Sequence, residues 1–194
     1  MSVFPVFLKL EHRCVLLVGG GTVAATKLGP LLDVGARVTV VAPAVRDDIA
    51  AAPVSLRRRP FEPGDLDGSC YVVAAAPRDV NAAVARAAAA RGLLVNAVDD
   101  VEHCSAYLGG VVRRGGLTIA ISTDGEAPAL AGLVREALDA LLPADLDRWM
   151  ACAQEARRRW LADKIPMTER RPLLLEALVR LYDNAAPTAS PEAR

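Results

Sequence analysis

Five apolar residues, Cys14-Val-Leu-Leu-Val18, run without interruption into Gly19, Gly20 and Gly21, and these glycines lead straight into a helical pattern. An unbroken apolar run suits a strand buried on both faces of a parallel sheet. Gly19-x-Gly21-x-x-Ala24 is the dinucleotide-binding fingerprint with Ala in the third place. Gly19 permits the tight turn. Gly21, having no side chain, lets the backbone approach a pyrophosphate. Ala24 is small enough for the helix to pack on the strand. The helix then offers unpaired N–H groups and a partial positive charge to an anion. No other stretch constrains the fold as tightly.

The rest of the chain alternates strands and helices around this unit. A first helix is expected over 23–34, with Pro30 inside it as the site of a kink. Further strands are expected over 37–42, 54–59, 70–75 and 93–96, with a helix from 79 to 91 for which Asp79 is the N-cap candidate. Such alternation gives an α/β fold of Rossmann type, a doubly wound and mostly parallel sheet. The apolar lead-in Phe4-Pro-Val-Phe-Leu8 is expected to cover a sheet edge. The Arg57–Arg59 run reads as a solvated strand end. At the end of the second strand stand Ala42 and Pro43, where the usual fingerprint has an acid for the adenosine ribose. Backbone groups or a neighbour such as Arg46 must hold that ribose instead.

After Asn96 the pattern changes. Asp99, Asp100, Glu102, His103 and Cys104 form a polar loop beyond a strand end, where ligands bind in such folds. Two strand-like runs, 107–113 and 117–122, then flank Arg114-Gly115-Gly116 as a β-hairpin. Its Val111, Val112, Ile119 and Ile121 need a partner surface, and a two-fold homodimer exchanging these elements supplies one. Ser122-Thr-Asp-Gly-Glu-Ala-Pro128 is a second small-residue turn, entering a helix over 129–142 whose N-terminus offers further N–H groups to an anion. Helical patterns follow over 145–163 and 168–182. The expected organisation is a dinucleotide domain over 1–105, a hairpin and helix for dimerisation and substrate over 106–143, a helical region over 144–183 and a flexible tail over 184–194.

Composition narrows the function classes. The 194 residues are 53% hydrophobic and only 4% aromatic, so a substantial core is built from Ala, Val and Leu. Basic and acidic residues balance at 23 each, which argues against a nucleic-acid binder. Cys14, Cys70, Cys104 and Cys152 are widely spaced, with Cys14 and Cys70 in apolar strand-like runs, as in reduced cytoplasmic proteins without disulfides or a zinc site. No apolar stretch approaches the roughly 20 residues of a membrane span, and no signal peptide is recognisable.

Several of these motifs, in this order, resemble the precorrin-2 dehydrogenases that form the N-terminal part of siroheme synthases. The resemblance runs from Phe4-Pro-Val-Phe-Leu8 through Val18-Gly-Gly-Gly-Thr-Val-Ala-Ala-Thr-Lys27 and Asn96-Ala-Val-Asp99 to Ile121-Ser-Thr-Asp-Gly-Glu-Ala-Pro-Ala-Leu-Ala131, with Glu169-Arg-Arg171 similar to the family's helical end. It implies NAD-dependent oxidation of precorrin-2 to sirohydrochlorin, and in some members insertion of ferrous iron by a ferrochelatase activity. It implies contacts to NAD from Gly19, Gly20, Gly21, Thr22 and Val23 and from Pro43 and Ala44, and a key carboxylate at Asp99. At 194 residues the chain is expected to lack the methyltransferase domain of longer siroheme synthases.

A carboxylate past a strand end and near a nicotinamide can take a proton as hydride leaves. That role falls to Asp99, and capping or solvation of the loop to Asp100. His103 is a substrate contact, a proton relay, a transient iron ligand or a plain surface histidine. Arg113, Arg114 and Lys27 are candidate cations for the substrate's carboxylates, and equally solvated residues. Ser122 and Thr123 complete the candidate substrate contacts. Adjacent loop residues do not make a closed metal site, so no resident metal is expected. Ser105-Ala-Tyr-Leu-Gly109 departs from the family's Asn-Phe-x-x-Pro pattern, and Asp124 and Ala127 replace a glycine and a serine; these changes bear on the substrate side, not on the cofactor turn. The alternatives are a non-catalytic NAD- or tetrapyrrole-binding module and a dehydrogenase of another substrate.

Overall fold

The structure, a computed structural model, describes residues 3–183; the flexible tail expected over 184–194 lies outside them. The chain divides into two compact units. One holds the residues up to Leu108 together with Ser122–Ala127; the other holds Gly109–Ile121 and the residues from Pro128 onward.

The first unit is built on five parallel strands in the order β3-β2-β1-β4-β5: β1 (Cys14–Val18), β2 (Arg37–Val41), β3 (Ser55–Arg57), β4 (Tyr71–Ala74) and β5 (Leu94–Ala97). Helices α1 (Thr22–Asp33), α2 (Asp47–Ala50) and α3 (Arg78–Ala89) connect them. Alternation along β1 feeds two cores. Val15 and Leu17 join Ala24, Leu28 and Leu31 of α1, whereas Leu16 and Val18 join Val84, Ala85 and Ala88 of α3. This is why the run from Cys14 to Val18 has no polar member. Cys14 itself, the first residue of β1, is exposed, and all four cysteines are free.

Three local expectations need correction, while Pro30 falls inside α1 as expected. The lead-in does not cover a sheet edge: Phe4, Val6, Phe7 and Leu8 are exposed, and Leu10 is the residue that enters the core. Helix α1 runs on through Pro30, which lies on its exposed face, where water can serve the Thr26 carbonyl that loses its donor. Asp79 is not a cap; Pro77 holds the N-cap position of α3 and Asp79 sits in the first turn. The Arg57–Arg59 run is not simply solvated. Arg57 and Arg59 donate to the buried Asp65 at 2.5 and 2.6 Å, and Asp65 closes a capping box with Glu62 around the 3-10 turn Pro63–Leu66. Edge strand β3 is short, and these bonds tie it down from its carboxyl end.

In the second unit, β6 (Gly110–Arg114) and β7 (Leu117–Ile121) form the expected antiparallel hairpin. Gly115 and Gly116 make its two-residue turn, both at positive φ as a primed turn requires. Helices α4 (Pro128–Leu141), α5 (Leu146–Ala162) and α6 (Met167–Asp183) complete the unit. The hairpin packs within its own chain, with Gly110 against Ala131 and Arg135 of α4. A Cβ on Gly115 would lie 2.4 Å from the Asp147 nitrogen, so this turn seats on the start of α5 only without a side chain. Trp149 of α5 meets Tyr182 of α6 edge-on, its Nε1 donating to the Tyr182 hydroxyl at 2.6 Å.

Candidate functional site

The carboxyl ends of β1, β2, β4 and β5 open on one side of the sheet, and the three glycines there do different work. A Cβ on Gly19, at φ +131°, would lie 2.2 Å from the Ala75 carbonyl oxygen, and one on Gly20 would lie 2.0 Å from that of Ala44. Both are glycine because neighbouring backbone fills the space. A Cβ on Gly21 would meet nothing within 4 Å. Gly21 is the N-cap of α1 and no side chain caps the helix, so the first N–H groups of α1 face open space. A cradle of this shape fits a pyrophosphate.

The flanking loops are fixed against this turn. Gly19 donates from its N–H to Val41 O, and Arg46 from its N–H to Gly20 O at 3.0 Å. Pro43 and Ala44, exposed after β2, lie in the segment between these bonds. Arg46 also reaches Thr22, Nη1 to Oγ1 at 3.3 Å. Ala75 donates from its N–H to Val18 O, holding the end of β4 beside Gly19. Asn81, buried on α3, accepts the Ala76 N–H at Oδ1 and donates from Nδ2 to Val98 O. One side chain thus ties the end of β4 to the loop that carries Asp99. Sequence reading missed Asn81, although its position supplies a signal: it replaces an apolar residue in the buried stripe Asn81, Val84, Ala85, Ala88.

Asp99 and Asp100 are neighbours with opposite environments. Asp99 is exposed and sits at φ +58°, a left-handed conformation that Asp and Asn tolerate better than most residues. Its carboxylate is therefore presented outward on a fixed turn. Asp100 is buried and accepts from His103 Nδ1 at 2.9 Å and from the His103 backbone N–H, which hold its carboxyl below the usual range against the opposing effect of burial. Asp100 is a loop clamp, as expected. His103 points elsewhere than the glycine turn: it lines a groove of about 320 Å³ with Arg86, Ala89, Leu94 and Cys104 beside α3 and β5. A larger hollow, about 520 Å³, lies at Cys14, Arg37 and Thr39 of β1 and β2, and Cys14 and Arg37 open their strands, so it is at the end opposite to ligand sites in this topology.

The turn Ser122–Ala127 belongs to the first unit and comes to the same loop. Gly125, at φ +82°, lies against Tyr107 and Val101. The Ser122 hydroxyl accepts the Asp124 N–H and the Thr123 hydroxyl accepts the Ala127 N–H, which leaves each O–H able to donate outward. Pro128 opens α4, so its first helical position has no N–H for an anion. The two hairpin arginines divide. Arg113 is exposed, while Arg114 donates to Leu142 O at 2.7 Å and to Asp139 at 2.8 Å, stabilising the end of α4.

A parallel sheet of this strand order, with an open glycine turn at a helix N-terminus, defines a dinucleotide-binding protein of Rossmann type. The family model described as "Putative NAD(P)-binding" matches residues 6–110, and the chain belongs to that family, so its cofactor is a nicotinamide dinucleotide. A second model, "Sirohaem biosynthesis protein central", matches residues 114–141. Among curated relatives, "Siroheme synthase 1" of Aeromonas salmonicida (strain A449) is 44% identical over 176 residues, 88% of this chain and 38% of the relative. "Siroheme synthase" of Pseudomonas aeruginosa (strain UCBPP-PA14) is 36% identical over 183 residues, 92% of this chain and 39% of the relative. The chain thus spans less than half the length of these relatives. The solved structure of "SirC, precorrin-2 dehydrogenase" superposes with a TM-score of 0.72 at 28% identity, covering 90% of this chain and 88% of that one.

Proposed function

We propose that the protein oxidises precorrin-2 to sirohydrochlorin with NAD. The observation that carries this reading is the gathering, within one unit, of an open dinucleotide cradle, an outward carboxylate at Asp99 and the Ser122–Ala127 turn. The likeness to SirC over nearly the full length of both chains supports it.

The substrate loses a hydride and a proton; NAD, when bound, supplies the acceptor for the hydride. The chain's own residues do the rest. Gly20, Gly21, Thr22 and Val23 hold the pyrophosphate through backbone N–H groups, Gly19, whose N–H is engaged by Val41 O, shapes the turn around it, and Pro43 and Ala44 border the adenosine end. An Asp99 carboxylate oxygen takes the proton. Its left-handed turn, held by Asn81 through Val98, keeps that oxygen facing outward. The hydroxyls of Ser122 and Thr123 donate to substrate carboxylates; of the two hairpin arginines, Arg114 is engaged at α4 and Arg113 is exposed. His103 plays no part at the glycine turn; its contact with substrate is confined to the side of α3 and β5.

Ferrous iron is a substrate in this reading, for a second step in which the two pyrrole protons it displaces leave one at a time through Asp99 to water. Adding ferrous iron to preformed sirohydrochlorin and following siroheme absorbance tests that step. We further propose a homodimer. Leu130, Leu133, Val134 and Leu141 on α4 and Leu173, Leu175 and Val179 on α6 are exposed apolar residues that a second copy can cover. Four free cysteines suit the reducing cytoplasm, and among the described residues no helix is long and apolar enough to cross a membrane.

The test of the central reading is the Asp99→Asn variant, which keeps the side chain's tolerance of positive φ and removes the base. Oxidation of precorrin-2 should fall by about 100-fold or more while NADH binding, read by fluorescence, stays within about threefold. Oxidation at the wild-type rate would remove Asp99 from the mechanism.

A further inference from the structure

The adenosine end of the cradle carries an arrangement that the fingerprint does not specify. Strand β2 ends at Val41, and Ala42 and Pro43 follow, so no acid stands at the strand end to bind the ribose hydroxyls. A carboxylate with a fixed position follows in α2, at Asp48. Arg46 grips it in a two-pronged pair, Nε to Oδ1 at 3.0 Å and Nη2 to Oδ2 at 2.9 Å. Asp48 Oδ1 also accepts the Ile49 N–H at 2.9 Å. The pair is anchored to the cradle twice, by the Arg46 N–H on Gly20 O and by Arg46 Nη1 on Thr22 Oγ1. About half of each side chain remains exposed, so the pair borders the crevice without being sealed in it.

We propose that the Arg46–Asp48 pair selects NAD over NADP, a claim that rests on the nicotinamide-dinucleotide reading of the site. Two effects act in the same direction. The Asp48 carboxylate supplies, from α2, the acceptor for ribose hydroxyls that is missing from the end of β2. It also occupies the guanidinium fork that a 2′-phosphate would need, since planar bidentate pairing satisfies one anion at a time. Arg57 and Arg59 at the edge strand do not replace it, because both are committed to Asp65. A 2′-phosphate entering here meets Asp47 and Asp48 with Arg46 already neutralised.

Fluorescence titration of the full chain with NADH and with NADPH tests this without any tetrapyrrole. Wild type should bind NADH at least about tenfold more tightly than NADPH. Asp48→Ala should tighten NADPH by about tenfold and weaken NADH a few-fold; Asp48→Asn, which keeps the shape and removes the charge, should shift the ratio in the same direction. Adding Arg46→Ala to Asp48→Ala should abolish the gain for NADPH. An unchanged NADPH-to-NADH ratio in both Asp48 variants overturns the proposal, as does a gain that survives loss of Arg46, which would place the cation elsewhere. Those results leave the nucleotide reading intact. Failure of wild type to bind either nucleotide overturns both.

Discussion

At the scale of single residues, the three glycines of the turn separate structure from function. Gly19 and Gly20 are glycine because carbonyl oxygens of Ala75 and Ala44 occupy the Cβ positions, whereas Gly21 is glycine with nothing beside it. Gly20→Ala should therefore destabilise the fold, by about 1–3 kcal/mol in thermal or urea unfolding. Gly21→Ala should lose less, about 0.5–1 kcal/mol for the poorer N-cap residue, and lose nucleotide affinity by about tenfold in NADH titration. Equal stability losses for both would mean that Gly21 is structural as well. The fingerprint separates Gly19, for the tight turn, from Gly21, for close approach, but leaves Gly20 unspecified, because its constraint comes from the loop that arrives after β2. Asp99 shows the same limit. Its place after a strand end was legible in the sequence, but its left-handed backbone and the burial of Asp100 one residue on were not, since both arise from the turn that Asn81 and His103 hold.

At the scale of elements, the sheet was the legible part. Apolar runs of four or five residues separated by helical patterns lead to strands whose observed limits differ by a few residues at most from those expected. Ser55–Arg57, the shortest of the five strands, lies at an edge of the sheet. What could not be read was the tether that holds this edge strand, because Asp65 lies eight residues beyond Arg57 in a loop. Arg59 lowers the Asp65 carboxyl well below the usual carboxylate range, burial opposes it, and the Glu62 N–H and Arg57 add to the lowering. A carboxyl depressed in the folded state stabilises the fold above its unfolded pKa of about 3.9, and that contribution is lost as pH falls toward the folded value. Wild type should accordingly lose stability between about pH 4 and pH 2. Asp65→Asn should be less stable at pH 7, by about 1–3 kcal/mol, and show a shallower dependence over the same acid window in urea titrations. Parallel pH profiles for the two proteins would contradict this role. The hairpin was legible from Gly115-Gly116, whereas the commitment of Arg114 to the end of α4 was not: its partners Asp139 and Leu142 are more than twenty residues away.

For the whole molecule, the chain resolves into a dinucleotide unit, which takes back the Ser122–Ala127 turn, and a unit of hairpin and helices. The second unit leaves Leu133, Leu141 and Leu175 exposed, and a two-chain mass in light scattering at micromolar concentration is the expected result; a monomer would count against the dimer. The most direct test of the account as a whole is anaerobic incubation of the full chain with precorrin-2 and NAD, following sirohydrochlorin absorbance and NADH together. The expected result is equimolar appearance of both, lost in Asp99→Asn. A well-folded protein that binds NAD and yields neither product would contradict it.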